Sequence, residues 1–278
     1  MKWLVSLLCT SVLVLHMNYT HAQVIDSPNG EKVWYAIYLH KKISARWSID
    51  NLSLAGMRSL QHDFWFFQNN LGLNFKINRL LSISAGYGHS LYAYSPWWDD
   101  HYQQKPNFLN TVSFHSMLFS LQRKTEIGRK FQLNNELIVQ YYIPKFEKYE
   151  TRFHYTVRFS YRKRNLPLGL TPSLEGGVYY YLNGVKTNYY DKDFNIISYA
   201  SPDGIHRFRG KVGINLVPIK ELRNLSVTLY YGINREFNLK GFGNNLNIEH
   251  PSRSGNRTLT TYPFNNYYIF GCQLNYSF

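Results

Sequence analysis

The sequence predicts an all-β protein: an antiparallel transmembrane β-barrel of about 10–12 strands, preceded by a cleaved N-terminal signal peptide. Three observations support this prediction: apolar and polar side chains alternate along most of the chain, the N-terminus has the pattern of a secretory signal, and the last strand ends in Phe. Tyr (24) and Phe (18) are abundant, which favours strands. No apolar run of about 18 residues follows the N-terminal segment, which excludes a helical membrane protein.

Two regions are predicted, a signal peptide at residues 1–22 and a barrel at residues 23–278. Lys2 supplies the positive n-region, residues 3–15 supply the apolar region, and a small-residue cleavage site ends at Ala22. Cleavage there removes Lys2 and lowers the formal net charge from +14 to +13. A basic, exported chain suggests anionic lipid or a charged lumen rather than nucleic acid, for which no recognised motif is present.

The first four strands are predicted at 32–40, 44–55, 62–77 and 80–94, where side chains alternate between short polar turns. In the third strand the apolar positions are odd and the polar positions are even: Trp65, Phe67, Leu71, Leu73, Phe75 and Ile77 against Gln68, Asn70, Asn74 and Lys76. A polar, aromatic loop follows the fourth strand, and a fifth strand with less regular alternation is predicted at 110–124.

The central hairpin, residues 131–165, alternates most clearly. Its two strands are joined at IPKFEKYE, and the second strand separates two sets of side chains by parity. The odd positions are aromatic or β-branched: Phe153, Tyr155, Val157, Phe159 and Tyr161. The even positions are mostly basic or polar: Arg152, His154, Thr156, Arg158, Ser160, Arg162 and Arg164. A soluble sandwich would bury the apolar face, whereas a transmembrane barrel would turn it to lipid and the charged face to its lumen.

Four further strands are predicted at 168–182, 205–216, 224–236 and 266–278, again from alternation. The last points six mostly apolar residues to one face: Tyr268, Phe270, Cys272, Leu274, Tyr276 and Phe278. Because a soluble protein rarely ends on an exposed Phe, this favours an outer-membrane barrel over a secreted sandwich. The total is eleven strands, whereas single-chain bacterial barrels usually have an even number. The sequence therefore indicates a strand missed within 184–204 or 237–263, or one strand divided wrongly.

Three segments resemble a known family, domain of unknown function 2490. The run NELIVQYYIPKFEKYETRFHYTVRFSYRKRN at 135–165, followed by SLEGGVYYYLNG at 173–184, resembles the core of that family. KKISARWSIDNLSLAGMRS at 41–59 resembles its opening hairpin. The resemblance covers most of the mature chain and implies an outer-membrane β-barrel of a Gram-negative bacterium. It implies no mechanism, since the family has no site residues to carry over.

The charged face provides the first candidate site. Its members are Glu136, Arg152, Arg158, Arg162, Glu175, Arg207, Arg209 and Lys211. If the strands pair in sequence order, acids flank an arginine ladder, and the bases outnumber them. Two interpretations stay open. One is a narrow barrel filled by salt-bridged side chains. The other is an anion-selective constriction or a pocket for an acidic solute.

The loop after the fourth strand provides the second candidate site, a possible outer-loop ligand contact at Trp97, Trp98, Asp99 and Asp100. Tryptophans stack on sugar rings, and carboxylates can hold a cation. The alternative is an interfacial aromatic girdle with a polar loop tip.

An enzyme is not predicted. The adjacent pairs His89-Ser90 and His115-Ser116 cannot act as base and nucleophile, because neighbours on a strand point to opposite faces. Cys272, the one cysteine of the mature chain, can form no internal disulfide. No metal cluster and no cofactor are predicted.

The best interpretation of function is a narrow passive pore or solute-uptake barrel with an arginine-rich lumen in the outer membrane of a Gram-negative bacterium. The alternatives are a structural or lipopolysaccharide- or partner-binding barrel with a closed lumen and, less favoured, a lipid-modifying enzyme. The expected partners are outer-membrane lipid, lipopolysaccharide, a small solute and the barrel assembly machinery, which would bind the strand that ends at Phe278.

Overall fold

Strands account for nearly all of the regular structure. The computed structural model describes residues 31–57, 64–93, 111–146, 149–163, 166–183, 187–190, 196–200, 203–219, 221–222, 224–236, 248–251, 258–261 and 267–278. The predicted signal peptide lies outside these residues. The strands are β1 (Glu31–Lys42), β2 (Trp47–Met57), β3 (Phe64–Lys76), β4 (Leu81–Ala93), β5 (Thr111–Ile127), β6 (Phe131–Phe146), β7 (Tyr149–Tyr161), β8 (Thr171–Leu182), β9 (Thr187–Tyr190), β10 (Ile196–Ala200), β11 (Gly204–Leu216), β12 (Leu225–Glu236), β13 (Ile248–Pro251), β14 (Thr258–Thr261) and β15 (Tyr267–Ser277).

Eleven of these strands close into one barrel, in the order β1-β15-β12-β11-β8-β7-β6-β5-β4-β3-β2. All neighbouring pairs in the ring are antiparallel except β1 and β15, which run parallel with Glu31 across from Tyr268. A closed ring with an odd number of strands cannot alternate direction throughout, so one parallel pair is unavoidable. The predicted strand number is confirmed, and the prediction of a wholly antiparallel barrel is wrong at this closure.

Two short hairpins lie outside the ring. Strands β9 and β10 form one two-stranded sheet, and β13 and β14 form another. They occupy the two segments in which a missing barrel strand was expected. In the described part of those segments, the extra strands pair with each other, so the expectation of a twelfth barrel strand there is wrong.

Alternation along each barrel strand separates an inner from an outer face. On β7 the inner face carries Thr156, which is 9% exposed, while Tyr155 and Phe159 point outward and are 43% and 39% exposed. The outer face of other strands also carries exposed apolar side chains, for example Leu71, Val212 and Phe270. The predicted parity of the central hairpin therefore agrees with the structure. Among the described residues, no helix is long and apolar enough to cross a membrane.

The interior is packed at one end of the barrel. That end is where β2, β4, β6, β8 and β12 finish, and we call it the long-connection end; β1, β3, β5, β7 and β11 finish at the other, the short-turn end. Two clusters of buried side chains meet there, and partly buried Tyr92 contacts both. We call them together the aromatic layer: Phe114, Tyr142, Tyr179 and Tyr181 in one cluster, and Trp34, Phe66, Tyr267 and Ile269 in the other.

Towards the short-turn end the inner face is polar and hydrogen-bonded across strands. The Asn215 carboxamide donates to Ser226 Oγ at 3.0 Å and to Thr228 Oγ1 at 2.9 Å. Ser84 and Ser120 hydroxyls lie 2.6 Å apart. An eleven-stranded ring with strands about 4.8 Å apart and tilted by about 40° has a backbone diameter of about 22 Å. Side chains from opposite walls can therefore meet at the aromatic layer.

Candidate functional site

The charged residues of the inner face are organised around one carboxylate. Glu175 on β8 lies across from Arg158 on β7 and from Lys211 on β11, in a single row of paired residues. Arg158 Nη2 is 2.5 Å from Glu175 Oε2, and Lys211 Nζ is 3.0 Å from Glu175 Oε1. The Glu175 side chain is 11% exposed, so its charge is largely shielded from water by the two bases. This pairing across three strands follows the strand order that the sequence predicted.

Three arginines pack against Tyr179 of the aromatic layer: Arg209 lies one inward position from the Glu175 row, Arg207 lies across from Tyr179, and Arg152 lies across from Tyr181. Arg152, Arg207 and Arg209 place their guanidinium carbons 5.5, 5.4 and 5.1 Å from the centre of the Tyr179 ring. His154 also stacks on Tyr179, with 3.8 Å between ring centres. Cations are attracted to the face of an aromatic ring, which lowers the cost of holding several of them together.

Amide side chains accept hydrogen bonds from two of these arginines. Arg152 donates to Gln140 Oε1, and Gln140 in turn donates to Ser116 Oγ at 2.9 Å. Arg209 donates through Nε and Nη2 to Asn234 Oδ1, both at 3.3 Å. Gln140 and Asn234 are 1% and 0% exposed. Neutral amides orient these two guanidinium groups without adding a negative charge of their own.

Two predicted members of the network form no ion pair with the residues around Glu175. Glu136 is on the inner face across from Thr156, and it forms no ion pair with any described residue. Arg162 follows the end of β7 at the short-turn end, where Arg162 Nη1 is 2.7 Å from Glu126 Oε2. The expectation that Glu136 pairs with the arginine ladder is therefore not met, because Arg158 lies across from Asn134 and Glu175 instead.

The second candidate site, Trp97, Trp98, Asp99 and Asp100, lies outside the described residues. Within the described ranges, no group of three or more His, Cys, Asp or Glu side chains could hold a metal ion.

The adjacent His-Ser pairs separate as predicted. Ser90 and Ser116 point inward and are 1% and 2% exposed, while His89 and His115 point outward. The structure nevertheless brings a histidine and a serine together across strands: His89 Nε2 lies 2.8 Å from Ser113 Oγ on the outer face. The sequence analysis compared only adjacent residues and missed this pair.

The sequence analysis also missed the inward aromatic residues that surround the arginines. Tyr179 has the same parity on β8 as Glu175, and this signal could have placed it on the inner face. The contact of Arg209 with the Trp34 ring, at 4.8 Å, depends on the β1–β15 closure and has no local signal.

Comparison with protein-family models finds no family that matches this chain. Comparison with curated proteins finds no match either. The resemblance to domain of unknown function 2490 therefore stays a prediction.

Proposed function

We propose that this chain is an outer-membrane β-barrel of a Gram-negative bacterium, exported by the signal peptide at residues 1–22, and that its basic lumen takes up small anions. Lipid would cover the outer face, and the aromatic layer would close the resting lumen at the long-connection end. In this proposal the short-turn end faces the periplasm, as short turns do in bacterial barrels.

The observation that carries the membrane assignment is the apolar outer face. Large apolar side chains on it are exposed by more than a third on several strands, as at Met117 (46%), Leu137 (37%) and Leu174 (57%). A soluble protein rarely exposes apolar patches beyond a few hundred Å². A closed ring also leaves no unpaired strand edge, which the bilayer interior requires.

The charge of the inner face supports anions as the solute. Apart from Arg162, which pairs with Glu126, the predicted network places five bases and two acids on the inner face, and one of those acids, Glu175, is shared by two bases. Rings of Arg and Lys select anions in pores.

Planar-bilayer recordings under a salt gradient test this proposal. We expect openings whose reversal potential shows anion preference, and we expect Arg158→Gln with Arg209→Gln to reduce that preference. Arg123→Gln on the outer face is the matched control and should leave it unchanged. A cation-selective reversal potential would contradict the electrostatic basis of the proposal.

The second candidate function is a structural barrel with a permanently closed lumen. The packing of the aromatic layer favours it, because Tyr142, Tyr179 and Ile269 are 2%, 1% and 0% exposed. The absence of current at every voltage, together with stable folded barrels in the membrane fraction, would favour this function over solute uptake.

A further inference from the structure

A histidine and a serine form a hydrogen-bonded pair on the outer face, where strands β4 and β5 adjoin. His89 and His115 are directly opposite each other, and Ser113 lies two residues from His115 on the same strand. Ser113 is therefore the diagonal neighbour of His89, a spacing that long side chains can bridge. The distance from His89 Nε2 to Ser113 Oγ is 2.8 Å, and Ser113 is exposed. A nucleophile and a base need this contact.

The imidazole of His89 is held in place by neighbouring rings. It stacks on His115 with 5.1 Å between ring centres and an interplanar angle of 18°. His115 in turn stacks on Tyr87 at 5.9 Å, and its Nδ1 is hydrogen-bonded to the Tyr87 hydroxyl. This column of three rings restricts the plane of the His89 imidazole, and a base of restricted orientation is better placed to take the proton of Ser113.

The depth of the pair matches the position of acyl esters in a bilayer. A strand rises about 3.3 Å per residue, so a tilt of about 40° gives about 2.5 Å per residue along the barrel axis. Leu91, which lies across from Ser113, is then about 25 Å above Leu81, the first residue of β4. The apolar band of a membrane barrel is also about 25 Å tall. Ser113 would therefore meet lipid at the boundary between acyl chains and headgroups.

We infer that Ser113 and His89 form a nucleophile–base pair that hydrolyses acyl esters of membrane glycerolipids. The inference rests on the proposed membrane location, since it requires the outer face to meet lipid. Ser113 Oγ attacks the ester carbonyl carbon while its proton passes to His89 Nε2. The alcohol of the lysolipid leaves with that proton. Water then attacks the acyl-serine carbonyl and gives a proton to His89 Nε2, which passes it to Ser113 Oγ as the fatty acid is released.

The test uses the full-length protein folded in membranes, a fluorophosphonate probe that labels activated serines, and vesicles of phosphatidylethanolamine. We expect labelling of wild type and release of fatty acid. Ser113→Ala should abolish labelling, and Ser113→Ala and His89→Ala should each reduce fatty-acid release by about a thousandfold or more. Ser53→Ala, also on the outer face, is the control and should keep both activities. His115→Ala removes the ring that stacks on His89 and should slow labelling of Ser113. His115→Phe retains a stacking ring and should be labelled at the wild-type rate.

Heat-modifiable mobility and membrane fractionation of each variant separate the possible failures. Folded, membrane-inserted wild type that neither labels nor releases fatty acid would overturn this inference and leave the membrane assignment standing. Fatty-acid release that persists in Ser113→Ala would overturn it too. Recovery of the wild type as a water-soluble protein would overturn the membrane assignment and, with it, the lipid substrate.

Discussion

Glu175 shows how one buried carboxylate organises the charged interior. Arg158 and Lys211 approach it from opposite sides, and their side chains are 53% and 22% exposed. Removing one member of a buried ion pair leaves the other charge without compensation, which costs more than the pair itself contributes. At Glu175 two bases would be left facing each other across one strand.

Glu175→Gln should destabilise the folded barrel by about 2–4 kcal/mol. The lower limit applies if water reaching Arg158 compensates part of the charge that Glu175 now neutralises. Urea unfolding of the protein in lipid vesicles measures this change. The matched control is Glu126→Gln, because Glu126 and Arg162 form an exposed pair with side chains 60% and 36% exposed. That substitution should cost about 0–1 kcal/mol. Equal effects of the two substitutions would contradict the organising role of Glu175.

Single residues were predictable where parity alone decides their place. The inward positions of Arg158 and Glu175 followed from alternation, and strand order brought them together. The Ser113–His89 contact was not predictable in this way, since it depends on the β4–β5 register. That register depends on how two whole strands align, and a slip of one residue would turn His89 inward.

At the scale of a strand, β7 separates two environments. Val157 lies four residues before the last residue of β7 and shares the outer face with Tyr155 and Phe159. If lipid covers this face, an arginine placed at Val157 would lie near the middle of the apolar band, far from the polar headgroups and water that could solvate its charge.

Val157→Arg should therefore destabilise the barrel by about 2–4 kcal/mol in vesicles, because the charge would lie near the bilayer midplane. Leu81→Arg at the first residue of β4 is the depth control and should cost about 0–1 kcal/mol, since that position is at the interface. Denaturant titration of both variants provides the comparison. A neutral Val157→Arg would show that this face does not meet hydrocarbon.

Strand β15 also has a packing requirement at Gly271. A Cβ atom added there would lie 1.9 Å from Tyr230 Cζ, so the Tyr230 ring occupies the space that a side chain would need. The same ring receives the Lys211 ammonium group at 5.2 Å from its centre. Gly271 thus allows an aromatic ring to lie flat over the backbone beneath the charged network.

Gly271→Ala should cost about 1–3 kcal/mol, because the ring must shift within a packed interior. Gly176→Ala is the matched control: its added Cβ would meet only Phe208, at 3.9 Å. Since Gly weakens strands by about 0.5–1 kcal/mol relative to Ala, the control should be neutral or slightly stabilising. Unfolding midpoints of the two variants decide the question, and a neutral Gly271→Ala would contradict the packing of Tyr230.

For the whole molecule, the sequence predicted the barrel class and the number of strands but not the closure. Short turns and alternation determine antiparallel neighbours locally. The parallel contact of β1 with β15 joins the two ends of the described chain and has no local pattern. The aromatic layer was missed for a similar reason, since Trp34, Phe66 and Tyr179 come from distant strands and meet only after the ring closes.

The aromatic layer provides the sharpest test of how the whole barrel works. Replacing Tyr142 and Tyr179 by Ala would remove two nearly fully buried rings against which Arg152 packs, at 5.8 and 5.5 Å from their centres. If this layer closes a basic lumen, the double variant should conduct more than wild type in planar bilayers. The current should prefer anions, because Arg152, Arg207 and Arg209 would line the opening.

The matched control removes two rings from the outer face. Tyr231 and Tyr268 stack there with 5.8 Å between ring centres. Changing both to Ala leaves the inner face untouched, so this variant should conduct no more than wild type. If the inner double variant stays as silent as this control while remaining folded, the layer does not gate a passage. If these rings blocked a continuous lumen, removing them would raise the current. No rise would therefore favour a structural barrel.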